Sequence, residues 1–230
     1  MELNTLLLPM GIIPSLFVLY FIVGRYEGRF REKLVFLAFI VGFVIGVIIY
    51  AIEGMIVYPI VSEAPYIDII LLFSFIFSFL EQIAKFAALN HPKMNDEGVP
   101  IYGGTFGLGF SSVFAPLLFG KTIEITFENI PLITIPFAVI LINCSTGILI
   151  GVGIKRVMKI KYFVLSLLIS FLMWVSLLIA IIYSISWNTL LSMIFSIYLL
   201  LFSIIIFAVT YKEQLPFGML SRREIRQGML

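Results

Sequence analysis

Charge, cysteine and histidine are scarce in this chain. Of 230 residues only 12% are Asp, Glu, Lys or Arg, and 61% are hydrophobic. Soluble domains carry about 25% charged residues, so a soluble fold is excluded. The single cysteine, Cys144, lies in an apolar segment and cannot form an intrachain disulfide, so no redox compartment follows. The single histidine, His91, precedes Pro92 in a loop and is expected to be solvated. There is no H-E-x-x-H, no glycine-rich phosphate loop and no G-x-S-x-G elbow. The first residues lack the basic stretch of a signal peptide, so the first apolar run is expected to be retained. The net charge of +2 says little, because its distribution matters more than its sum.

What is present is length and apolarity, with a mean hydropathy of +1.14. A spanning helix needs about 20 mainly apolar residues. Seven segments qualify: Thr5 to Gly24, Leu34 to Ile52, Tyr66 to Leu89, Ile101 to Phe119, Pro131 to Ile154, Tyr162 to Ile185 and Trp187 to Tyr211. The fourth is short and glycine-rich, and only a brief turn near Ser184 to Asn188 divides the last two. The expected fold is therefore all-α, a polytopic helical membrane protein of about seven transmembrane helices in a single membrane domain, 1–230.

The connections set orientation. Arg25, Arg29, Arg31 and Lys33 fill the first, and Lys155, Arg156, Lys159 and Lys161 the fifth. The tail, 212–230, adds Lys212, Arg222, Arg223 and Arg226. The second holds Glu53 and Glu63 without a base; the fourth sets Lys121 against Glu124 and Glu128; the sixth has no charge. The third is mixed, with Lys93, Asp96 and Glu97. Bases therefore concentrate in alternate connections. This predicts the N-terminus outside, the C-terminus in the cytoplasm and a cell-membrane location. The basic loops are expected to set topology and touch anionic headgroups; no nucleic-acid partner is expected. Gly42/Gly46, Gly103/Gly107 and Gly147/Gly151 stand four apart and suggest close helix packing. Segments six and seven, 162–211, carry no charge after Tyr162 and are expected to be a peripheral, lipid-exposed pair.

Chemistry concentrates at Glu81-Gln82-Ile83-Ala84-Lys85 in the third segment. A charged side chain near the bilayer centre costs roughly 2.5 kcal/mol or more, so such residues face a bundle interior and are functional candidates. Glu81 and Lys85, four apart, share one helix face. One account is an intrahelical ion pair. Another is a buried pocket shared with Asn143, Ser145 and Thr146 of the fifth segment and Thr105, Ser111 and Ser112 of the fourth. A third has Ser and Thr bonded to their own helices. Cys144 is expected to be a small packing residue. No zinc or other cofactor is expected, because a catalytic zinc takes three protein ligands.

Three stretches resemble the PrsW family, part of the wider group of CAAX-processing and bacteriocin-processing intramembrane proteases. They are Ile13 to Leu16 with Tyr20 and the Arg25-Tyr26-Glu27 loop; Glu81-Gln82-x-x-Lys85, similar to an E-E-x-x-K signature; and Ile101-Tyr102-Gly103-Gly104 through Gly107-Leu108-Gly109-Phe110, similar to a Y-G-x-x-x-G-x-G-F helix. The resemblance runs over about 5–155. It implies a proteolytic site built on paired glutamates, in which Glu81 is the catalytic candidate. Its second glutamate falls at Gln82, its E-N pair at Phe114-Ala115 and its histidine at Asn143. Glutamine and asparagine cannot do the acid–base work of glutamate and histidine. The expectation is a catalytically degenerate relative. Its pocket of Gln82, Lys85, Tyr102, Ser111 and Asn143 around Glu81 would bind a membrane segment, a lipid or a partner protein. An active protease using Glu81, and a small transporter or channel, are the alternatives.

Overall fold

The computed structural model describes residues 7–62, 66–94, 96–119, 134–185 and 188–220. Glu63, Lys121, Glu124, Glu128, Trp187 and Arg222 onward lie outside them. Among the described residues the chain is built of helices joined by short turns and has no strand. The helices are α1 (Leu7–Gly24), α2 (Glu32–Ser62), α3 (Ile67–Leu89), α4 (Val99–Ser111), α5 (Thr134–Lys155), α6 (Lys159–Ile185), α7 (Thr189–Val209) and the short α8 (Leu215–Met219). A π-turn at Ala115–Phe119 prolongs α4, and another at Thr210–Gln214 joins α7 to α8. Five helices are long and apolar enough to cross a membrane, and α1 is a shorter apolar helix. This is the build of a helical membrane protein.

The sequence dictates which helices are central. Every residue of α4 is buried, and 94% of the spanning window of α5 is, against 22% in α7. Glycine makes the α4–α5 seam possible. Gly103 sits on the Gly147 carbonyl, Gly107 on that of Asn143 and Gly151 on that of Val99, so the two helices run antiparallel. A side chain at any of these positions would collide with the facing backbone. Gly42 and Gly46 bring α2 onto α4 at Phe106 and Phe110 in the same way. All three glycine pairs are thus helix contacts. Outward faces stay apolar, as at Phe36, Val44 and Ile48 of α2 and Leu168 and Leu172 of α6. That inversion of the soluble pattern suits a lipid surround.

One end of the bundle gathers the first, third and fifth connections and the chain after α7. Arg31 pairs with Asp96 at 3.4 Å, and its backbone N–H donates to the Tyr102 hydroxyl. Lys155 donates to the Glu97 carbonyl and Lys159 to Asn90. Arg156 reaches the carbonyls of Phe217 and Leu220. The Tyr211 hydroxyl donates to the Phe21 carbonyl, tying the last turn of α1 to the π-turn that follows α7.

One boundary and one placement differ from the sequence expectation, and both matter. The second segment does not end at Ile52. It runs on to Ser62, so Glu53 is inside α2 and fully buried rather than in a connection. The sixth segment is not peripheral, because 61% of its window is buried and it walls the polar centre described next.

Candidate functional site

The centre is built from α3 outward. Ser74, Ser78, Glu81, Gln82 and Lys85 fall at three- and four-residue spacings and are buried, whereas Phe75, Ile76, Phe79 and Ile83 are exposed. This period turns the polar stripe inward onto α5 and α6. The Lys85 ammonium donates to the side-chain oxygens of Asn143 (2.5 Å), Thr146 (3.0 Å) and Gln82 (3.4 Å). It pairs with Glu81 at 3.8 Å and lies 5.4 Å from the Phe110 ring centroid. The Asn143 amide donates in turn to the Tyr50 hydroxyl and to the Val139 carbonyl.

The carboxylate of Glu81 is held from the other side by α6. Trp174 donates its indole N–H at 3.2 Å, and Ser170 its hydroxyl at 3.4 Å. The Tyr50 hydroxyl also faces it. Trp174 is locked by Phe77, with ring centroids 4.9 Å apart. Glu53 reaches the same centre from α2, within electrostatic range of Glu81 and Lys85. Both of its carboxylate oxygens are buried and accept no hydrogen bond among the described residues, and the amide nitrogen of Gln82 likewise donates none. The centre thus holds two carboxylates against one ammonium, which leaves room for one more proton or one more cationic or donor group. An ionised buried carboxylate is costly unless something of this kind meets it.

Of the residues singled out in the sequence, Glu81, Gln82, Lys85, Asn143 and Thr146 come together. Tyr102 does not join them. It sits at the first turn of α4 and binds Asp96 and Arg31, closing the bundle end. Ser111 donates to the Gly107 carbonyl of its own helix, as Thr105 and Ser145 do to theirs, because a buried hydroxyl in a helix finds that acceptor within reach. Cys144 is a buried free thiol behind Gly104. Among the described residues no three His, Cys, Asp or Glu side chains converge in a metal-binding group.

Sequence reasoning missed Glu53, Tyr50, Ser170 and Trp174. Signals for them existed. Apolar residues continue on both sides of Glu53, and Ser166, Ser170 and Trp174 recur every four residues on one face of α6. Compared with family models, curated proteins and solved structures, the chain matches none.

Proposed function

We propose that the chain is a seven-span, PrsW-like protein of the cell membrane whose Glu81–Lys85 centre is non-hydrolytic. It acts as a binding and locking centre for a membrane segment, a lipid or a partner protein. One observation carries this reading: the Lys85 ammonium fills the centre. It takes the oxygens of Gln82, Asn143 and Thr146, while Trp174 and Ser170 engage the carboxylate of Glu81. A general base needs a free lone pair aimed at the water or group it deprotonates. Glu81 has its oxygens turned to structural donors instead.

Topology is supported by the bundle end that gathers connections one, three and five. The last turn of α1 and the π-turn that follows α7 meet there, which requires an odd number of crossings. Counting α4 with its π-turn as one crossing makes seven. The basic residues of that end then face the cytoplasm. Cysteine accessibility at positions 29 and 159 should report the same side; labelling from opposite sides refutes the topology.

A second reading rests on Glu53. Two carboxylates in unlike surroundings, one held by donors and one that meets none among the described residues, are a recurrent acid–base arrangement. In this reading Glu53 supplies the second titratable group that the sequence did not reveal. The deciding experiment is cleavage of a membrane-embedded reporter by purified, reconstituted protein. The binding reading expects no cleavage. Cleavage abolished by both Glu53→Gln and Glu81→Gln establishes the enzyme instead.

A further inference from the structure

Helices α2 and α3 touch only lightly, because both lean on others: α2 on α4 through its glycines, and α3 on α6. A cleft of about 510 Å³ opens between them, with Phe106 of α4 in its lining. Its α2 wall is apolar, with Ala38, Val41 and Ile45. Its α3 wall is Ala84, Ala87 and Ala88, small side chains at three- and four-residue spacing that leave the gap unfilled. From Leu37 to Ile45 the cleft follows α2 for about 12 Å. His91 and Lys93 stand among its lining residues just beyond the end of α3, and both are exposed.

The polar end is a pair of donors without an acceptor among the described residues. The backbone N–H of Lys93 donates to Nδ1 of His91, so the proton of the neutral ring sits on Nε2 and is free to donate. The Lys93 ammonium makes no hydrogen bond or ion pair among the described residues. Of the acids nearby in sequence, Asp96 caps Gly98 and pairs with Arg31, and Glu97 lies within electrostatic range of Lys155. A second cleft, of about 580 Å³ between α1 and α2, includes Glu27 and Glu32 in its lining. The two clefts are similar in size and opposite in charge, which makes the second an internal comparison.

We infer that the α2–α3 cleft is a binding site for an anionic phospholipid of the basic leaflet. One acyl chain lies between the helices, and the headgroup phosphate is held by Lys93 and His91. Apolar length, a small-residue wall and a cation at the membrane surface that has no partner among the described residues match that ligand and no zwitterionic one equally well. A basic pocket between spanning helices is a recurrent headgroup site. The inference rests on the membrane reading of the chain and does not depend on what the Glu81 centre does.

The test is native mass spectrometry of the full chain in one detergent, titrated with phosphatidylglycerol and phosphatidylcholine of equal chain length. The expected result is one saturable site that prefers phosphatidylglycerol about fivefold, the size of one lysine–headgroup interaction. Lys93→Gln should remove the preference. Ala88→Phe should remove the site with the melting transition unchanged, whereas Glu27→Gln should leave it intact. If Ala88→Phe does not fold, chain length decides: phosphatidylglycerol with six-carbon chains should bind much more weakly than with sixteen. Equal affinity for the two headgroups overturns the inference. So does a preference untouched by Lys93→Gln, or one independent of chain length. Release of the chain from membranes by alkaline carbonate, without detergent, refutes the membrane reading itself.

Discussion

Lys85→Met is the most informative perturbation of the polar centre. Methionine keeps much of the lysine stem and removes the ammonium. The pair distance is 3.8 Å and both partners are fully buried. At an effective dielectric near 20 the attraction at that distance is about 4 kcal/mol. Removing one partner of a buried pair costs about 3–5 kcal/mol, because the other charge is left uncompensated. Asn143 and Thr146 also lose their donor, about 1 kcal/mol each. Part of that loss overlaps with the pair term, so the expected cost is about 4 kcal/mol rather than the sum.

The partner is identified by rescue. Adding Glu81→Gln removes the uncompensated charge and keeps an oxygen for the indole N–H of Trp174, so most of the loss should return. Adding Glu53→Gln should rescue less, because the direct ion pair is to Glu81. Denaturant titration in mixed micelles reads this through Trp174 fluorescence in a Trp187→Phe background. Trp174 reports the centre because it touches both Glu81 and Phe77. A Lys85→Met protein within about 1 kcal/mol of the parent, the scale of an exposed ion pair, refutes the reasoning. Equal rescue by the two glutamines refutes the assignment of Glu81 as the partner.

Four further outcomes are expected in the same assay. Glu53→Met should be neutral or stabilising by about 1–2 kcal/mol, since it replaces a donor-less buried carboxylate by a side chain of similar volume; a loss above about 2 kcal/mol would mean that Glu53 has an unseen structural partner. Trp174→Phe should cost about 1.5–3 kcal/mol, the worth of a hydrogen bond to a charged group, with the ring contact to Phe77 retained. Gly107→Ala should cost about 1–3 kcal/mol by pushing α4 off the Asn143 carbonyl, whereas Gly24→Ala, which has open space, should be neutral. Val157→Gly should stabilise by about 0.5–1 kcal/mol, because Val157 holds a φ of +61° while 76% exposed, so strain is relieved without lost packing.

The sequence exposed the helices and the α3 stripe because both are local. Hydropathy marks a span within about 20 residues, and the spacing of Glu81 and Lys85 fixes a shared face. The glycine pairs were visible for the same reason. What stayed hidden was non-local. Glu53 reads as a loop residue when charge is taken to end a span, yet its helix continues for nine residues to Ser62. Trp174 reads as an apolar residue in an uncharged helix, and only the packing of α6 against α3 turns its N–H to Glu81. Tyr102 failed as a pocket residue because α4 begins at the bundle end, so its first turn meets Arg31 and Asp96 instead.

The glycine seams and the polar centre solve different parts of one packing problem. In lipid no hydrophobic gain separates a correct helix pairing from a wrong one, since tails are as apolar as leucine. Glycine contacts reward close approach. A slip of one helical turn, however, brings Gly107 to the level of Gly147 and leaves much of the α4–α5 seam serviceable. The polar centre does not tolerate that slip. Moving α5 by a turn, about 5.4 Å, takes Asn143 out of hydrogen-bond reach of Lys85 and strands an ammonium. Moving α6 takes Trp174 and Ser170 from Glu81. Replacing Glu53, Glu81 and Lys85 together by leucine should therefore leave a chain that still inserts and forms helices. Disulfide trapping in a Cys144→Ala form of that background, with cysteine pairs placed in separate proteins at 104 and 148, which face each other in the native seam, and at 104 and 152, one turn away, should then yield both the native and the shifted cross-link. A single native cross-link in the triple variant would show that the glycines set the register unaided.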